Sequence, residues 1–312
     1  MRRAWLMHSA PARLTLLLAL TAGLAGCQGE LPAHQQARDG YRVDHRHASS
    51  AHNSRVHYLI LHYTDEDQAR SLEVLSGPHV SSHYLLPAEP DERHVFQLVE
   101  ESRRAWHAGV SAWGERRHLN DTSLGIEIVN QGPALTAPEL LKRLDAPTPP
   151  DLRWAPYSAA QVETLIALLR DLIERHDIEP VNVLAHSDVA PKRKIDPGPA
   201  FPWQRLHDAG IGAWPDDEAV ARYTRRFRQS PPDLATLQSA LAAWGYAVTP
   251  SGQLDERTRA VLRAFQMHFR PADYRGYPDV DTAARLWALL EGYRPDALEA
   301  LQQPSAAGQE TD

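Results

Sequence analysis

The chain has 312 residues, of which 43% are hydrophobic and 23% are charged, and its formal net charge is −7. This length is sufficient for two domains, each with its own core. A net acidic chain without a long run of lysine or arginine argues against nucleic acid as a partner. Its single cysteine, Cys27, excludes an internal disulfide.

The N-terminus has the pattern of a secretory signal. Arg2 and Arg3 precede a short apolar run at residues 14–20, which is shorter than the roughly 20 apolar residues of a spanning helix. The run leads to "LAGC", which ends at Cys27 and resembles the lipobox of bacterial lipoproteins. That resemblance implies a signal peptide over residues 1–26, acylation of Cys27, and a lipid-anchored outer-membrane location facing the periplasm. A chance cysteine after small residues is the alternative.

The next residues, 27–53, are polar and show no periodicity, so they are predicted to be a tether. The first predicted element is the buried strand "VHYLILHY", with His62 near its end. "SSHYLLP" and "HVFQLV" predict two further short strands. "LGIEIVN" predicts another, with Ile126 and Ile128 on one face and Glu127 on the other.

A proline-rich stretch over residues 132–157 predicts a surface loop or insertion. The stretch that follows, "SAAQVETLIALLRDLIERH", has helical periodicity, and Ser158 with Gln161 forms a capping-box pattern at its start. "VNVLAH" then predicts a strand that ends at His186. Strands alternating with a long helix predict an α/β domain over residues 54–206, with a mixed central sheet flanked by helices.

Beyond this domain, residues 207–232 are predicted to be an exposed linker that ends in "SPP". From Asp233 onward, apolar residues at helical spacing predict a small module of three helices over residues 233–302. The tail, residues 303–312, is predicted to be disordered.

Three side chains suggest a metal site. His62 and His186 each lie at a predicted strand end, where open α/β folds collect ligands and catalytic groups. Asp196 follows in the proline-containing loop "LAHSDVAPKRKIDPG". Two histidines and a carboxylate, with a fourth position for water, are typical of catalytic zinc. The ordinary alternative is a hydrogen-bonded surface histidine, because the chain has 16 histidines.

Four motifs in order, "LHYT", "AWHAG", "NDTSLGIEI" and "HSDVAPKRKIDPG", resemble the zinc N-acetylmuramoyl-L-alanine amidases. This family includes phage lysozyme-type amidases and peptidoglycan recognition proteins. The C-terminal stretch "LQSALAAWGYAVTPSGQLDERTRAVLRAFQ" resembles a type-one peptidoglycan-binding domain. Together the resemblances cover nearly all of the chain after the signal.

The resemblance implies roles for individual residues. One zinc ion per chain would be held by His62, His186 and Asp196. Glu127 would be the catalytic acid and base, and Lys194 a second catalytic group. Substrate contacts would come from the strand end and two loops: Tyr63, Thr64, Trp106, His107 and Asn120. Core packing is the equal alternative for Trp106, and His83 is interpreted as structural.

In the implied chemistry, zinc makes hydroxide available at neutral pH by lowering the pKa of a water to roughly 7. Glu127 would take the proton from water and deliver it to the departing amine. Lys194 would stabilise the oxyanion together with the metal. Pro191 and Pro197 restrict the loop, and Gly198 permits its turn, so that Lys194 and Asp196 are positioned together.

The predicted function is therefore zinc-dependent hydrolysis of the amide between the lactyl group of N-acetylmuramic acid and L-alanine. The expected partners are peptidoglycan or muropeptides and, through Cys27, a membrane, and a monomer is expected. The helical module would hold the enzyme on its polymer. A non-catalytic peptidoglycan-binding protein is the alternative, although such relatives usually lack a ligand. A zinc phosphoesterase or endopeptidase would fit the ligands but not the order of the motifs.

Overall fold

The computed structural model describes residues 32–133, 139 and 152–302. They fall into two compact units that divide after His52. In the first unit, strands β1 (Gln35–Arg38) and β2 (Tyr41–Asp44) form an antiparallel hairpin. Gly40 stands in its turn with a φ of 79°, a conformation that glycine adopts without steric cost. The predicted tether therefore contains regular structure. The hairpin was missed because nearly all its side chains are exposed, so no hydrophobic alternation indicates it.

The second unit is built on a mixed sheet, as the sequence predicted. In the described residues this sheet has five strands: β3 (Tyr58–Tyr63), β4 (Tyr84–Leu86), β5 (Phe96–Gln97), β8 (Ser123–Ile128) and β9 (Val183–Ala185). Their order in the sheet is β5–β4–β8–β3–β9. All neighbouring pairs are parallel except β4 with β5. A separate hairpin pairs β6 (Ala112–Trp113) with β7 (Arg116–Arg117).

One face of the sheet is covered by the long helix α2 (Ala159–His176), and the shorter α1 (Gln68–Leu75) precedes it in the chain. Leu165 and Leu169 of α2 belong to one buried cluster with Leu59 and Ile126 of the sheet. Ser158 caps α2 by accepting a hydrogen bond from the Gln161 backbone, as predicted. The Gln161 side chain does not complete a capping box. It donates instead to the carbonyls of Pro87 and Val129, which ties the helix to the sheet.

From His186 to Gln302 the regular elements are helices. The helices are α3 (His186–Val189), α4 (Trp203–Asp208), α5 (Asp217–Gln229), α6 (Leu234–Trp244), α7 (Glu256–Phe269), α8 (Val280–Tyr293) and α9 (Pro295–Gln302). Four of them, α5 to α8, begin at an aspartate whose side chain accepts from the backbone three residues on. Such caps satisfy N–H groups that have no partner inside the helix.

The structure corrects the prediction that residues 207–232 form an exposed linker. This segment contains α5, which buries Tyr223 and Phe227, and Phe227 packs edge-on against Trp287 of α8 with ring centroids 5.1 Å apart. The sequence of α5 is rich in charged residues and has only a narrow stripe of buried aromatic residues. The hydrophobic pattern is therefore too weak to predict a packed helix. Residues 233–302, for which three helices were predicted, contain four, α6 to α9.

The helical part shares its core with the α/β part. Ile60 and Val189 lie in the same buried cluster as Trp244 and Phe265. The two parts approach closely at Gly245, where a Cβ atom would lie 2.5 Å from the Trp113 ring. The sequence predicted two separate cores on either side of a linker. That prediction fails because the apolar surface that the sheet leaves uncovered is buried by the helices.

Several predictions fall outside the described residues: the signal with Cys27, most of the proline-rich segment, and the tail over residues 303–312. Within the part of the chain that the structure describes, no helix is both long and apolar enough to cross a membrane.

Candidate active site

The candidate site forms at the carboxyl ends of three parallel strands. In the register of β3 with β8, His62 lies directly opposite Glu127. On the other side of β3, Leu61 pairs with Ala185 of β9, so His186 follows at the same edge as the first residue of α3. Carboxyl ends of parallel strands are where open α/β sheets collect functional groups.

Three side chains converge there in a buried cluster. His62 Nδ1 lies 2.9 Å from His186 Nδ1, and Asp196 Oδ2 lies 3.1 Å and 2.9 Å from these two nitrogens. The three residues are only 1%, 2% and 5% exposed. They form the candidate metal-binding group of the described residues. A buried carboxylate between two imidazoles is costly unless a cation compensates it, and this donor set suits one.

Their surroundings keep His62 and Asp196 unprotonated at neutral pH, which is the form of histidine and aspartate that binds a metal. Burial and the neighbouring His186 lower the pKa of His62 to about 4, so its imidazole is neutral at neutral pH. Burial alone would raise the pKa of Asp196, but contact with the two histidines holds it well below its ordinary value. Metal ligands must be unprotonated, and these two residues meet that condition.

Glu127 lies beside the cluster. The alternation of β8 places Ile126 and Ile128 in the core and directs Glu127 to the site, with Oε1 4.0 Å from His62 Nδ1. Its Oε2 is buried and has no hydrogen-bond partner among the described residues. Burial raises the pKa of Glu127 well above its ordinary value, and Asp196 adds to the effect. A carboxyl group of this kind can hold and release a proton.

The cluster opens into a cleft of about 230 Å³ whose lining includes Tyr63, Thr64, Trp106 and Lys194. Trp106 is 51% exposed, which removes the alternative of core packing for this residue. Lys194 is half-buried and shares the cleft with all three residues of the cluster. Three of the predicted substrate contacts and the predicted catalytic group Lys194 therefore line one cleft.

Tyr63 forms one wall of the cleft. A Cβ atom on Gly132 would lie 2.8 Å from its ring, so this glycine allows the chain to pass close to it. Trp154 packs edge-on against the Tyr63 ring, with the two centroids 6.5 Å apart. Trp154 also covers Gly198, where a Cβ atom would lie 2.4 Å from the indole and φ is 80°. The turn after Asp196 therefore requires glycine, as the sequence indicated.

His107 also borders the cleft, but both ring nitrogens are engaged. Its Nδ1 lies 3.0 Å from His62 Nε2, and its Nε2 lies 3.1 Å from Ser123 Oγ. A Cβ atom on Gly125 would clash with the ring at 2.4 Å. His107 therefore supports the His62 ring from behind, which is a role that commonly orients metal-binding histidines.

Asn120 does not reach the cleft, which corrects the prediction of a substrate contact. It is buried, and its Oδ1 accepts hydrogen bonds from the backbone of His107 and Ala108. His83 is structural, since its Nδ1 accepts from Gly125 N and its Nε2 donates to the Arg103 carbonyl. Both residues hold backbone beside the site.

Sequence reasoning missed Asp188, which is 1% exposed. Its Oδ2 accepts from Ala185 N at 2.8 Å and from His268 at 2.7 Å, and its Oδ1 accepts from the Tyr246 hydroxyl at 2.6 Å. The His268 ring is stacked between Trp203 and Phe269. Asp188 thus joins the metal-binding loop to α7 and to Tyr246, the second residue after α6. Its partners lie 58 and 80 residues away, so no local pattern indicates them.

Comparison with known proteins agrees with this geometry. The sequence model of the family described as N-acetylmuramoyl-L-alanine amidase matches residues 52–199, and that of a putative peptidoglycan binding domain matches residues 230–286. The N-acetylmuramoyl-L-alanine amidase AmiD of Escherichia coli K12 is 44% identical over 289 residues, which cover 91% of this chain and 99% of that protein. The 1,6-anhydro-N-acetylmuramyl-L-alanine amidase AmpD of Enterobacter cloacae is 31% identical over 54% of this chain and 91% of its own length.

Solved structures lead to the same family. The E. coli AmiD complex with the substrate anhydro-N-acetylmuramic acid-L-Ala-D-gamma-Glu-L-Lys has a TM-score of 0.71 and 42% identity, covering 83% of this chain and 98% of that chain. AmpDH3 of Pseudomonas aeruginosa has a TM-score of 0.70 and 40% identity, with the same coverage. The chain belongs to the N-acetylmuramoyl-L-alanine amidase family.

Proposed function

We propose that this protein uses one zinc ion, held by His62, His186 and Asp196, to hydrolyse the amide between the lactyl group of N-acetylmuramic acid and L-alanine. Peptidoglycan and its soluble muropeptides are the substrates. The observation that carries the proposal is the buried cluster of these three side chains beside a carboxyl oxygen of Glu127 that has no hydrogen-bond partner among the described residues. The substrate named in the AmiD complex contains the same lactyl amide.

The cluster fits a catalytic metal better than a structural one. Within the described residues it has two nitrogen donors and one oxygen donor, whereas closed structural zinc sites have four protein ligands. Zinc in such a site acts as a Lewis acid on a carbonyl oxygen and lowers the pKa of a coordinated water to roughly 7.

The protein groups perform the proton transfers and hold the substrate. Glu127 accepts a proton as water attacks the lactyl carbonyl carbon, and it returns that proton to the L-alanine nitrogen as the C–N bond breaks. The products are the lactyl carboxylate and a free amine. The Lys194 ammonium stabilises negative charge on the carbonyl oxygen. Tyr63, Thr64 and Trp106 line the cleft that receives sugar and peptide.

The non-catalytic alternative has less support. A protein that only binds peptidoglycan has no use for a buried carboxyl group next to a complete set of metal ligands, and burying such a group is costly. The family relationship to AmiD also favours the enzyme. The phosphoesterase and endopeptidase alternatives fit the donor set but not the family.

The test combines product and metal analysis. Mass spectrometry after incubation with a soluble muropeptide should show the free sugar acid and a stem peptide that begins with L-alanine. Elemental analysis should find close to one zinc per chain, and removal of the metal by a chelator should stop turnover, with zinc restoring it. Unaltered turnover of metal-free protein, or an intact lactyl amide, would overturn the proposal.

We also propose that Cys27 is acylated and anchors a monomeric enzyme to the outer membrane, facing the periplasm. The support is the "LAGC" stretch after a short apolar run. Cys27→Ser should shift the protein from the membrane fraction to a released or unprocessed form, measured by fractionation and by labelling with a fatty acid analogue. Membrane attachment that persists in this variant would contradict the anchor.

A further inference from the structure

A second and larger cavity lies beside the metal-binding loop. This groove has a volume of about 790 Å³ and lies between the α/β part and the helical part. It is lined by residues 110–117 around the β6–β7 hairpin, by residues 189–193 of the loop between the metal-site residues, and by residues 242–249 with Arg257. The mechanism proposed above does not use it.

The groove is positively charged although the chain is acidic. Its lining contains four cations and one acid: Arg117, Lys192, Arg193, Arg257 and Glu115. All five side chains are exposed, whereas the whole chain has a formal charge of −7. Lys192 is paired with Glu256, whose Oε1 lies 3.1 Å from Lys192 Nζ. The arginines from three separate segments still leave a net positive charge on one concave surface, which favours an anionic occupant.

One segment, residues 106–111 and here called the ridge, contributes to both the groove and the cleft. Trp106 and His107 line the cleft, while Val110 and Ser111 line the groove. The ridge presents apolar surface to solvent, because Trp106 is 51% and Val110 80% exposed. Arg193 holds the ridge by donating to the carbonyls of Ala108 and Val110. A polymer bound in the cleft can therefore continue over the ridge into the groove.

We propose that the groove binds the carboxylates of a second, uncut stem peptide of the same glycan strand while the cleft holds the stem that is being cleaved. This inference rests on the proposed function. Each stem of the type named in the AmiD complex carries carboxylates, which match guanidinium and ammonium groups. Two linked attachments raise the effective concentration of the polymer at the cleft, whereas a single soluble muropeptide has only one stem to offer.

The first experiment compares two double variants that each remove two positive charges. Arg117→Gln with Arg257→Gln changes the groove, and Arg225→Gln with Arg228→Gln changes exposed arginines of α5 that do not line it. On a soluble muropeptide both variants should keep the wild-type kcat/KM within about twofold, which also shows that they fold. On intact sacculi at low salt the groove variant should be slower by about five- to thirtyfold, and added salt should narrow the gap.

The second experiment measures binding without turnover. In a Glu127→Gln background, sedimentation with sacculi should show weaker binding for the groove variant than for the control. Soluble tetrapeptide stems should compete with sacculi for the unmodified groove, and glycan strands stripped of stems should not. Equal losses on soluble and polymeric substrates, equal behaviour of groove and control variants, or full competition by stripped strands would overturn the inference. Absence of muropeptide cleavage by the wild type would instead refute the proposed function, since binding is measured separately.

Discussion

The candidate site contains two carboxyl groups, the buried Asp196 and the half-buried Glu127, and their contacts give them opposite tendencies. Asp196 touches both histidines, which hold its pKa well below the ordinary value. Glu127 has one oxygen without a partner among the described residues, and burial raises its pKa well above the ordinary value. Two carboxyl groups whose pKa values are shifted in opposite directions by their surroundings can take different chemical roles in one site. Asp196 suits a permanent ligand, and Glu127 suits a group that exchanges protons.

This difference predicts different outcomes for two substitutions. Glu127→Gln should keep the metal and lose about 10²- to 10⁴-fold in kcat, because a general acid–base group is removed. Asp196→Ala should lose affinity for zinc itself, measured by competition with a chelator. If Glu127→Gln released zinc while Asp196→Ala retained it, the two roles would be the reverse of those proposed.

At the residue scale, the sequence predicted which residues form the candidate metal cluster, but it did not predict which way every neighbouring side chain points. His62, Glu127 and His186 could be placed because strand ends and β alternation determine where such residues point. Asn120 and His107 stand in equally suggestive motifs, yet one is bonded to backbone and the other to His62. Their orientation depends on loops whose conformation is set by tertiary contacts, which no local pattern contains.

At the scale of elements, the shortest helix has a large role. Helix α3 spans only His186–Val189, too short to be stable alone. Asp188 fixes it to β9 through Ala185 N and to the helical part through Tyr246 and His268. Because His186 is the first residue of α3, these bonds also hold a candidate metal ligand in place. The sequence predicted β9 and the loop but could not predict this link, since its donors come from the far end of the chain.

Tyr246→Phe tests the link with a matched control. The substitution leaves Asp188 with one donor fewer, which should lower the free energy of unfolding by about 1.5–3 kcal/mol, as for hydrogen bonds to charged groups. It should also weaken zinc binding. Tyr223→Phe removes a hydroxyl that donates at the same 2.6 Å to a carboxylate, Glu291, within the helical part.

The two variants are compared by urea denaturation and by chelator competition. The control should lose stability but keep the zinc affinity of the wild type. Equal zinc affinity of Tyr246→Phe and Tyr223→Phe would show that the Asp188 link supports the fold alone.

At the scale of the whole molecule, the shared core determines which segments of the chain can be deleted without unfolding the rest. The sequence suggested that a catalytic domain over residues 54–206 could stand alone, because residues 207–232 were predicted to be an exposed linker. The structure shows Ile60, Val189, Trp244 and Phe265 in one cluster. Local periodicity predicted the strands and most helices, but the surfaces that meet between them are a property of the folded chain.

Truncation at either end should therefore have unequal effects. A chain that stops before Asp233 would expose the apolar cluster around Trp113 and leave Asp188 without two of its donors, so it should aggregate or unfold at lower temperature. A chain that begins at Asn53 keeps every buried cluster described here, from Val56 to Leu298. Thermal unfolding and zinc content should separate the two. A stable, zinc-loaded protein ending before Asp233 would contradict the shared core.

The close packing of Gly245 on Trp113 has one more consequence. The backbone of Gly245 lies against the Trp113 ring, and the buried Asp188 accepts hydrogen bonds from Tyr246 and His268 of the helical part. These contacts leave no flexible connection about which the two parts could rotate. The separation of cleft and groove is then a constant of the molecule. If the groove holds a neighbouring stem, the fixed distance between cleft and groove selects the spacing of the two stems that the enzyme binds together. Strands whose uncut stems recur at this spacing should bind tightly, and strands from which earlier cleavage has removed the neighbouring stem should bind more weakly.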